Sequence, residues 1–313
     1  MLAPIPTPAL SLSLPTFRQE PGSWQVMMDR ALAADDAGID RVTVSDHVVM
    51  GENLDAYGRP EVGGISGGVQ PTGPDGQWLE PLTTLSVIAG ATKRVRLGTN
   101  VLLAALRRPI VLAKATATLD VLSGGRLDLG VGVGWQREEY EASGLSFAER
   151  GRLLDHTLEV LQGAWRDSPT SHDSERLTFN RVYVHPQPLR PEGVPVWVSG
   201  TISPRSLQRI ARFGSAWIPW GDDIKNPTVG LTRIRQALEE AGRSAEGFRV
   251  QGRLRVGVDG RGNLDLGKAM KGVGEATAAG ITDFAVWIDL PDGRAEATDM
   301  LGQVVTAFRA EAG

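Results

Sequence analysis

Apolar positions along this chain switch repeatedly between a period of two, or a short unbroken run, and a period of three to four. The first reads as strand and the second as helix. Leu10, Leu12 and Leu14 mark a strand over 10–17, and a helix follows over 24–37, closing at Gly38. A strand over 41–45, a helix over 81–92 and a strand over 95–100 come next. The third helix opens at Pro109, a first-turn position that suits a residue without an N–H. It carries Leu112, Ala115, Leu119 and Leu122 on one stripe and stops at Gly124-Gly125. Strand 127–133 precedes a helix whose stripe is Leu154, Leu158, Leu161 and Trp165.

The second half repeats the theme. Strands are expected over 195–199, 216–219, 249–258 and 283–288. Helices are expected from Ser203-Pro204 onward and over 228–241, 266–279 and 295–311. Eight strand–helix pairs in 313 residues predict an α/β fold, a (β/α)8 TIM barrel, as one domain over 1–313. Two excursions interrupt the count. Residues 48–77 hold eight glycines and three prolines after the second strand, and read as a lid-like loop or as a disordered segment. In 168–193, Leu177-Thr178-Phe179 and Val182-Tyr183-Val184 read as a small hairpin before the fifth strand, followed by Pro186, Pro188 and Pro191.

Composition narrows the function. With 33 basic and 37 acidic residues the net charge is −4, which predicts no attraction to nucleic acid or to a membrane surface. Cysteine is absent, so disulfides, thiolate nucleophiles and cysteine metal sites are excluded. The four histidines, at 47, 156, 172 and 185, do not suggest a metal site. No run approaches the roughly 18 apolar residues of a membrane span. The first residues lack the basic start of a signal peptide, and a cytoplasmic location is expected.

In a barrel of this kind chemistry belongs at the C-terminal strand ends. Asp46-His47 ends the second strand. The pair suits ligand hydrogen bonding or proton relay, and equally a turn cap beside a satisfied half-buried histidine. Gly98-Thr99-Asn100-Val101 ends the third strand, and spacing alone favours a strand running into a turn. Gly130, Gly132 and Gly134 alternate before Trp135. They admit either a flat ligand or a crowded barrel interior, and lack the dinucleotide spacing. Glu138 and Glu139 suit the start of the next helical turn. Ser199-Gly200-Thr201-Ile202-Ser203-Pro204 combines hydroxyls, a glycine and a helix start, and is favoured as an anion site. Arg205 and Arg209 lie one turn apart and are able to add charge there. Trp135 and Trp220 follow strand ends and suit the walls of an apolar slot, whereas Trp24, Trp165 and Trp287 read as core. His156 reads as solvent-facing.

Several runs carry a resemblance. They are SDHV at 45–48, WLEPLTTLSVIAGATKRVRLGTNV at 78–101 and RRPIVLAKATATLDVLSGGRLDLGVGVGW at 107–135. EEYEASG at 138–144, RGRLLDHTLEVLQGAW at 150–165 and PVWVSGTISPRSLQRIARFGSAWIP at 195–219 complete the set. Together they resemble the luciferase-like monooxygenase family, most of all its actinobacterial enzymes dependent on the deazaflavin coenzyme F420. The resemblance implies a TIM barrel with a flavin or deazaflavin across its C-terminal mouth. It implies Asp46 and His47 against the ring, and a non-prolyl cis peptide at Asn100-Val101 in a bulge that supports one face. It implies Thr99 beside that bulge as a further cofactor-binding residue, ring and ribityl contacts from Gly132, Gly134 and Trp135, and phosphate binding by Ser199, Gly200, Thr201, Ile202 and Ser203. The chain departs from the deazaflavin-dependent sugar-phosphate dehydrogenases at two places. Gly51 stands roughly where they carry a tryptophan, and Trp135-Gln136 where they carry an acidic residue.

The expected function is hydride transfer between F420 and a small organic substrate, with His47 moving the proton and Asp46 orienting His47 or the ring. The alternatives are an FMN-dependent monooxygenase fed by a separate reductase, and a non-catalytic flavin- or deazaflavin-binding protein. A phosphate-substrate isomerase or aldolase would need a strand-end lysine, and Lys93, Lys114, Lys225, Lys268 and Lys271 fall mostly on helices or loops. A homodimer is expected as a family habit. No metal is expected.

Overall fold

The computed structural model describes residues 8–312. Eight parallel strands close into a barrel: β1 (Ala9–Ser13), β2 (Arg41–Val44), β3 (Arg96–Thr99), β4 (Leu127–Val131), β5 (Val196–Gly200), β6 (Ala216–Pro219), β7 (Arg249–Arg255) and β8 (Asp283–Trp287). Each strand pairs with the next in the chain, and β8 pairs with β1. The helices are α1 (Gln25–Ala37), α2 (Pro81–Ala91), α3 (Pro109–Leu122), α4 (Arg137–Ala142), α5 (Arg150–Arg166), α6 (Pro204–Phe213), α7 (Pro227–Glu240), α8 (Leu266–Met270), α9 (Val273–Ala278) and α10 (Arg294–Ala312). Among the described residues no helix is long and apolar enough to cross a membrane.

Strand alternation sorts the side chains. Leu10, Leu12, Val42, Val44, Leu129, Val131, Val250, Phe284 and Val286 join the apolar core that the helices cover. The other parity supplies the barrel interior, and it is polar. At its lower end Arg41 donates to Asp128 and Asp283, both at 2.8 Å. Arg96 holds both oxygens of Asp128, at 2.6 and 2.8 Å, and Arg249 donates to Asp283 at 2.6 Å. Trp197 lies 4.1 Å from the Arg41 guanidinium carbon. Burial pushes the Asp128 carboxyl up, but Arg96 and Arg41 more than offset this and hold it well below the ordinary carboxylate range.

Four boundaries differ from the sequence pattern. The first strand ends at Ser13. Phe17 and Arg18 instead pair antiparallel with Trp78 and Gln77 beside the barrel mouth. β7 stops at Arg255, and Val258 makes only an isolated bridge to Leu264. The helix expected over 266–279 is two helices, separated where Gly272 adopts φ +90°. The hairpin before β5 pairs Thr170–Asp173 with Thr178–Val182. Its first arm, Thr-Ser-His-Asp, is too polar to show as a strand. Tyr183 and Val184 run on past the hairpin, one exposed and one buried in the core. The 48–77 segment folds into two 3-10 turns, Leu54–Gly58 and Pro60–Val62, before the short strand Gln77–Trp78.

Candidate active site

The C-terminal strand ends open into a cavity of about 410 Å³, within the size range of small-molecule sites. Ten residues read from the sequence as site or slot residues line it: Asp46, His47, Asn100, Val101, Gly132, Gly134, Trp135, Ser199, Gly200 and Trp220. The Asn100–Val101 peptide is cis. Thr99 does not reach the cavity. Alternation turns it away from its neighbour Asn100, and its hydroxyl donates to the Gly130 carbonyl at 2.7 Å.

His47 is held on three sides. Its Nδ1 lies 3.2 Å from Glu139 Oε2, a carboxylate with no exposed surface. The edge of Trp78 packs at 4.6 Å between ring centroids, and Trp135 at 5.7 Å. The other Glu139 oxygen accepts from the Val48 N–H at 2.8 Å. With Nδ1 turned to Glu139, Nε2 is the nitrogen left for a ligand. Asp46 does not orient His47. Its carboxylate is taken bidentately by Arg107, at 2.6 and 3.1 Å, and by the Leu103 N–H at 2.9 Å. It thereby ties the end of β2 to the loop that carries the cis peptide. Arg107 also reaches Glu80 at 3.0 Å, and Glu80 caps α2 through the Thr83 N–H.

The alternating glycines serve two purposes. At Gly130 a Cβ would stand 1.9 Å from the Thr99 carbonyl oxygen, so this position answers to a crowded interior. Gly132 and Gly134 form a cavity wall, where a Cβ would meet Val101 at 2.6 Å and Leu103 at 3.0 Å. At Gly51, Glu138 fills the space a side chain would need, with Cγ 2.5 Å from an added Cβ.

The 199–203 loop is only partly available as an anion site. Ser199 and Gly200 line the cavity, but Thr201, Ile202 and Ser203 lie beyond its rim. The Ile202 N–H already donates to Asp223 Oδ2 at 2.6 Å. Ser203 is the N-cap of α6, and its N–H donates to Ser206 Oγ at 2.7 Å. Arg209 is buried against Asp155 at 2.6 Å and adds no charge there, while Arg205 is exposed. His156 is half-buried against His172, with ring centroids 5.2 Å apart, instead of facing solvent.

The far side of the cavity was not evident from motifs. Gln251 and Arg253 of β7 and Ala285 and Trp287 of β8 share the inward parity and line it. Trp287 is not core. It ends β8, so alternation places it in the mouth, 49% exposed, with the Arg253 guanidinium 5.0 Å from its ring. The 48–77 segment covers this mouth. Tyr57 packs against Trp135 and Trp220, at 5.4 and 6.4 Å, and Trp220 Nε1 donates to the Gly63 and Gly64 carbonyls, each at 3.1 Å. Burial pushes the Tyr57 hydroxyl above its ordinary pKa, while the Arg253 charge partly offsets it. Glu139, Arg107, Tyr57 and Arg253 were missed as site residues. For Arg253 the signal was present in the Arg249, Gln251, Arg253 alternation. For Glu139 no local signal separated it from a helix-starting carboxylate.

The profile of the luciferase-like monooxygenase family matches residues 10–261. The chain belongs to that family. An uncharacterised protein of Mycobacterium tuberculosis is 35% identical over 166 residues, 52% of this chain and 58% of that protein. The chain thus spans little more than half of that relative's length. A phthiodiolone/phenolphthiodiolone dimycocerosates ketoreductase of Mycobacterium kansasii is 30% identical over 263 residues, 81% of this chain and 69% of that enzyme. Two solved structures share the fold. An F420-dependent secondary alcohol dehydrogenase, in complex with an F420–acetone adduct, has a TM-score of 0.74 at 18% identity, covering 97% of this chain and 99% of that one. The oxygenating constituent of 3,6-diketocamphane monooxygenase from Pseudomonas putida, in complex with FMN, has a TM-score of 0.63 at 17% identity, covering 86% and 72%. Family members of this kind are oxidoreductases.

Proposed function

We propose that this chain is an oxidoreductase that moves a hydride between coenzyme F420 and a small organic substrate. The observation that carries the reading is the His47–Glu139 pair set in the wall of an aromatic cavity, at the strand end next to the Asn100–Val101 bulge. The residues fit a flat ring. Gly132 and Gly134 let the Val101 and Leu103 side chains lie flat against the cavity wall, and Trp135 lines it beside them. They would hold it, with Ser199 and Gly200 toward its phosphate side chain. The phosphate would compete with Asp223 for the Ile202 N–H. When bound, the cofactor would supply the hydride or accept it.

The chain's own residues do the rest. Glu139 lies 3.2 Å from His47 Nδ1 on the side away from the cavity, which leaves Nε2 to take or give a proton at the substrate oxygen. Asp46, clamped by Arg107, holds the bulge that faces the ring. Tyr57 and the 48–77 segment cover the mouth and exclude water. The ketoreductase and alcohol dehydrogenase relatives favour an alcohol–carbonyl couple as the substrate.

Titration with F420 and with FMN, followed by absorbance and fluorescence, tests the cofactor. Micromolar binding of F420 is expected, and failure of both to bind at that level overturns the reading. Preferential FMN binding would favour the second reading, a monooxygenase supplied by a separate reductase, for which the FMN-bound neighbour speaks. In the His47→Ala variant turnover should fall by about 10²–10⁴-fold while cofactor affinity stays within a few-fold. Equal loss of both would make His47 a binding residue only.

A further inference from the structure

Four ionisable side chains line the cavity: Asp46, His47, Tyr57 and Arg253. Three are accounted for. Asp46 is clamped by Arg107, His47 faces Glu139, and the Tyr57 hydroxyl is kept protonated by its burial. Arg253 has no carboxylate partner among the described residues. Its guanidinium lies over the Trp287 ring at 5.0 Å, with Arg255 at 5.8 Å from the same ring. Burial lowers the Arg253 pKa from its ordinary value, Tyr57 offsets part of this and Arg255 adds to it. An arginine on an open surface would be fully hydrated. This one is exposed but stands in a mouth walled by indole rings, where an anion gains a charge-assisted, planar partner.

The position matters as much as the charge. The proposed ring slot is built by β2 to β5, from His47 round to Gly200. Arg253 and Trp287 stand on β7 and β8, on the other side of the barrel. Trp287 is large, apolar and 49% exposed with the Arg253 guanidinium over one part of its ring, so the same two residues offer open apolar surface and a cation together. Gln251 lies between them and the bulge, its Oε1 3.4 Å from Asn100 Nδ2.

We propose that Arg253 and Trp287 form the substrate end of the cavity and select a ligand carrying a carboxylate on a flat apolar body. The ligand's anion pairs with the Arg253 fork, its body stacks on Trp287, and its far end is directed toward His47. That this ligand is the hydride partner rests on the oxidoreductase reading above; the anion site itself does not.

Calorimetric titration of the purified protein with 2-naphthoate and with its uncharged amide, 2-naphthamide, tests the site with and without F420. The acid should bind at least tenfold more tightly than the amide. Arg253→Gln should weaken the acid at least tenfold and leave the amide within twofold, and Arg253→Lys should fall between. Equal binding of acid and amide by the unaltered protein overturns the proposal, and so does a failure of the acid to bind or an equal loss of both ligands in the Gln variant. An anion source other than substrate is the cofactor's own phosphate. If Arg253→Gln weakens F420 tenfold and leaves 2-naphthoate unchanged, Arg253 belongs to the cofactor and the substrate assignment falls. Failure of F420 and FMN to bind would overturn only the redox reading, since the naphthoate titrations run without either.

Discussion

The two ends of the barrel interior are built from the same strand parity and solve the same problem in opposite ways. At the lower end five charged side chains, Arg41, Arg96, Asp128, Arg249 and Asp283, pair with one another in one connected network. At the upper end the charges are divided among separate partners, and Arg253 has no carboxylate among the described residues. Inward-pointing polar residues therefore do not by themselves mark a site. A charge whose neighbours complete it belongs to the scaffold, and a charge left incomplete beside open space is available to a ligand.

The largest expected effect tests the closed end. Asp128→Ala leaves Arg41 and Arg96 buried without that carboxylate, and removing one partner of a buried ionic set costs about 3–5 kcal/mol. Urea unfolding at neutral pH reads this directly. The pH dependence has a fixed sign. The folded carboxyl lies below its unfolded value of about 3.9. Its stabilising contribution is complete above about pH 4 and is lost as the pH falls from there through the folded value. The gap between the original protein and Asp128→Ala should narrow below pH 4 and stay constant from pH 5 to 8. A variant as stable as the original would dissolve the contrast between the two ends.

A smaller effect separates the middle of the barrel from its mouth. Gly130→Ala drives a Cβ to 1.9 Å from the Thr99 carbonyl oxygen, which is backbone and cannot turn aside. Overpacking of this kind costs about 1–3 kcal/mol. Gly132→Ala meets the Val101 side chain instead, at 2.6 Å, and Val101 lines the cavity. The first variant should lower the unfolding midpoint with cofactor affinity little changed in the surviving fold. The second should weaken cofactor binding more than it lowers stability. The reverse ranking would mean that the glycine series is a ligand feature throughout.

Legibility in the sequence followed the same division. Eight alternations of strand and helix were readable because burial against the helices leaves Leu10, Val42, Leu129 and Phe284 as apolar runs at fixed spacing. Capping prolines at 109 and 204 fixed two helix starts. Asp46 and His47 were legible because they end a strand, whereas the Asn100-Val101 bulge came from the family resemblance, since spacing alone favoured a turn there. The partners were not. Glu139 reaches His47 from 92 positions along the chain, and Asp223 takes the Ile202 N–H from a turn after β6. Contacts of that range depend on barrel closure and leave no local period. Trp287 misled because an aromatic in a strand reads as core, and only the strand's parity and its end position put it in the mouth.

The smallest expected effect is the sharpest test of the open end. Among the described residues Arg253 donates to no carboxylate, and it is exposed in the mouth, so its loss leaves no buried charge uncompensated there. Arg253→Gln should therefore change unfolding free energy by no more than about 0.5 kcal/mol, the range for surface positions outside caps and networks. Arg249 is four positions earlier on the same strand and parity, and pairs with buried Asp283. Arg249→Gln should cost several-fold more in the same urea titration. Equal costs would place Arg253 in the scaffold with Arg249, because a side chain that stabilises the fold as much as its paired neighbour is already engaged and has no valence left for an anion.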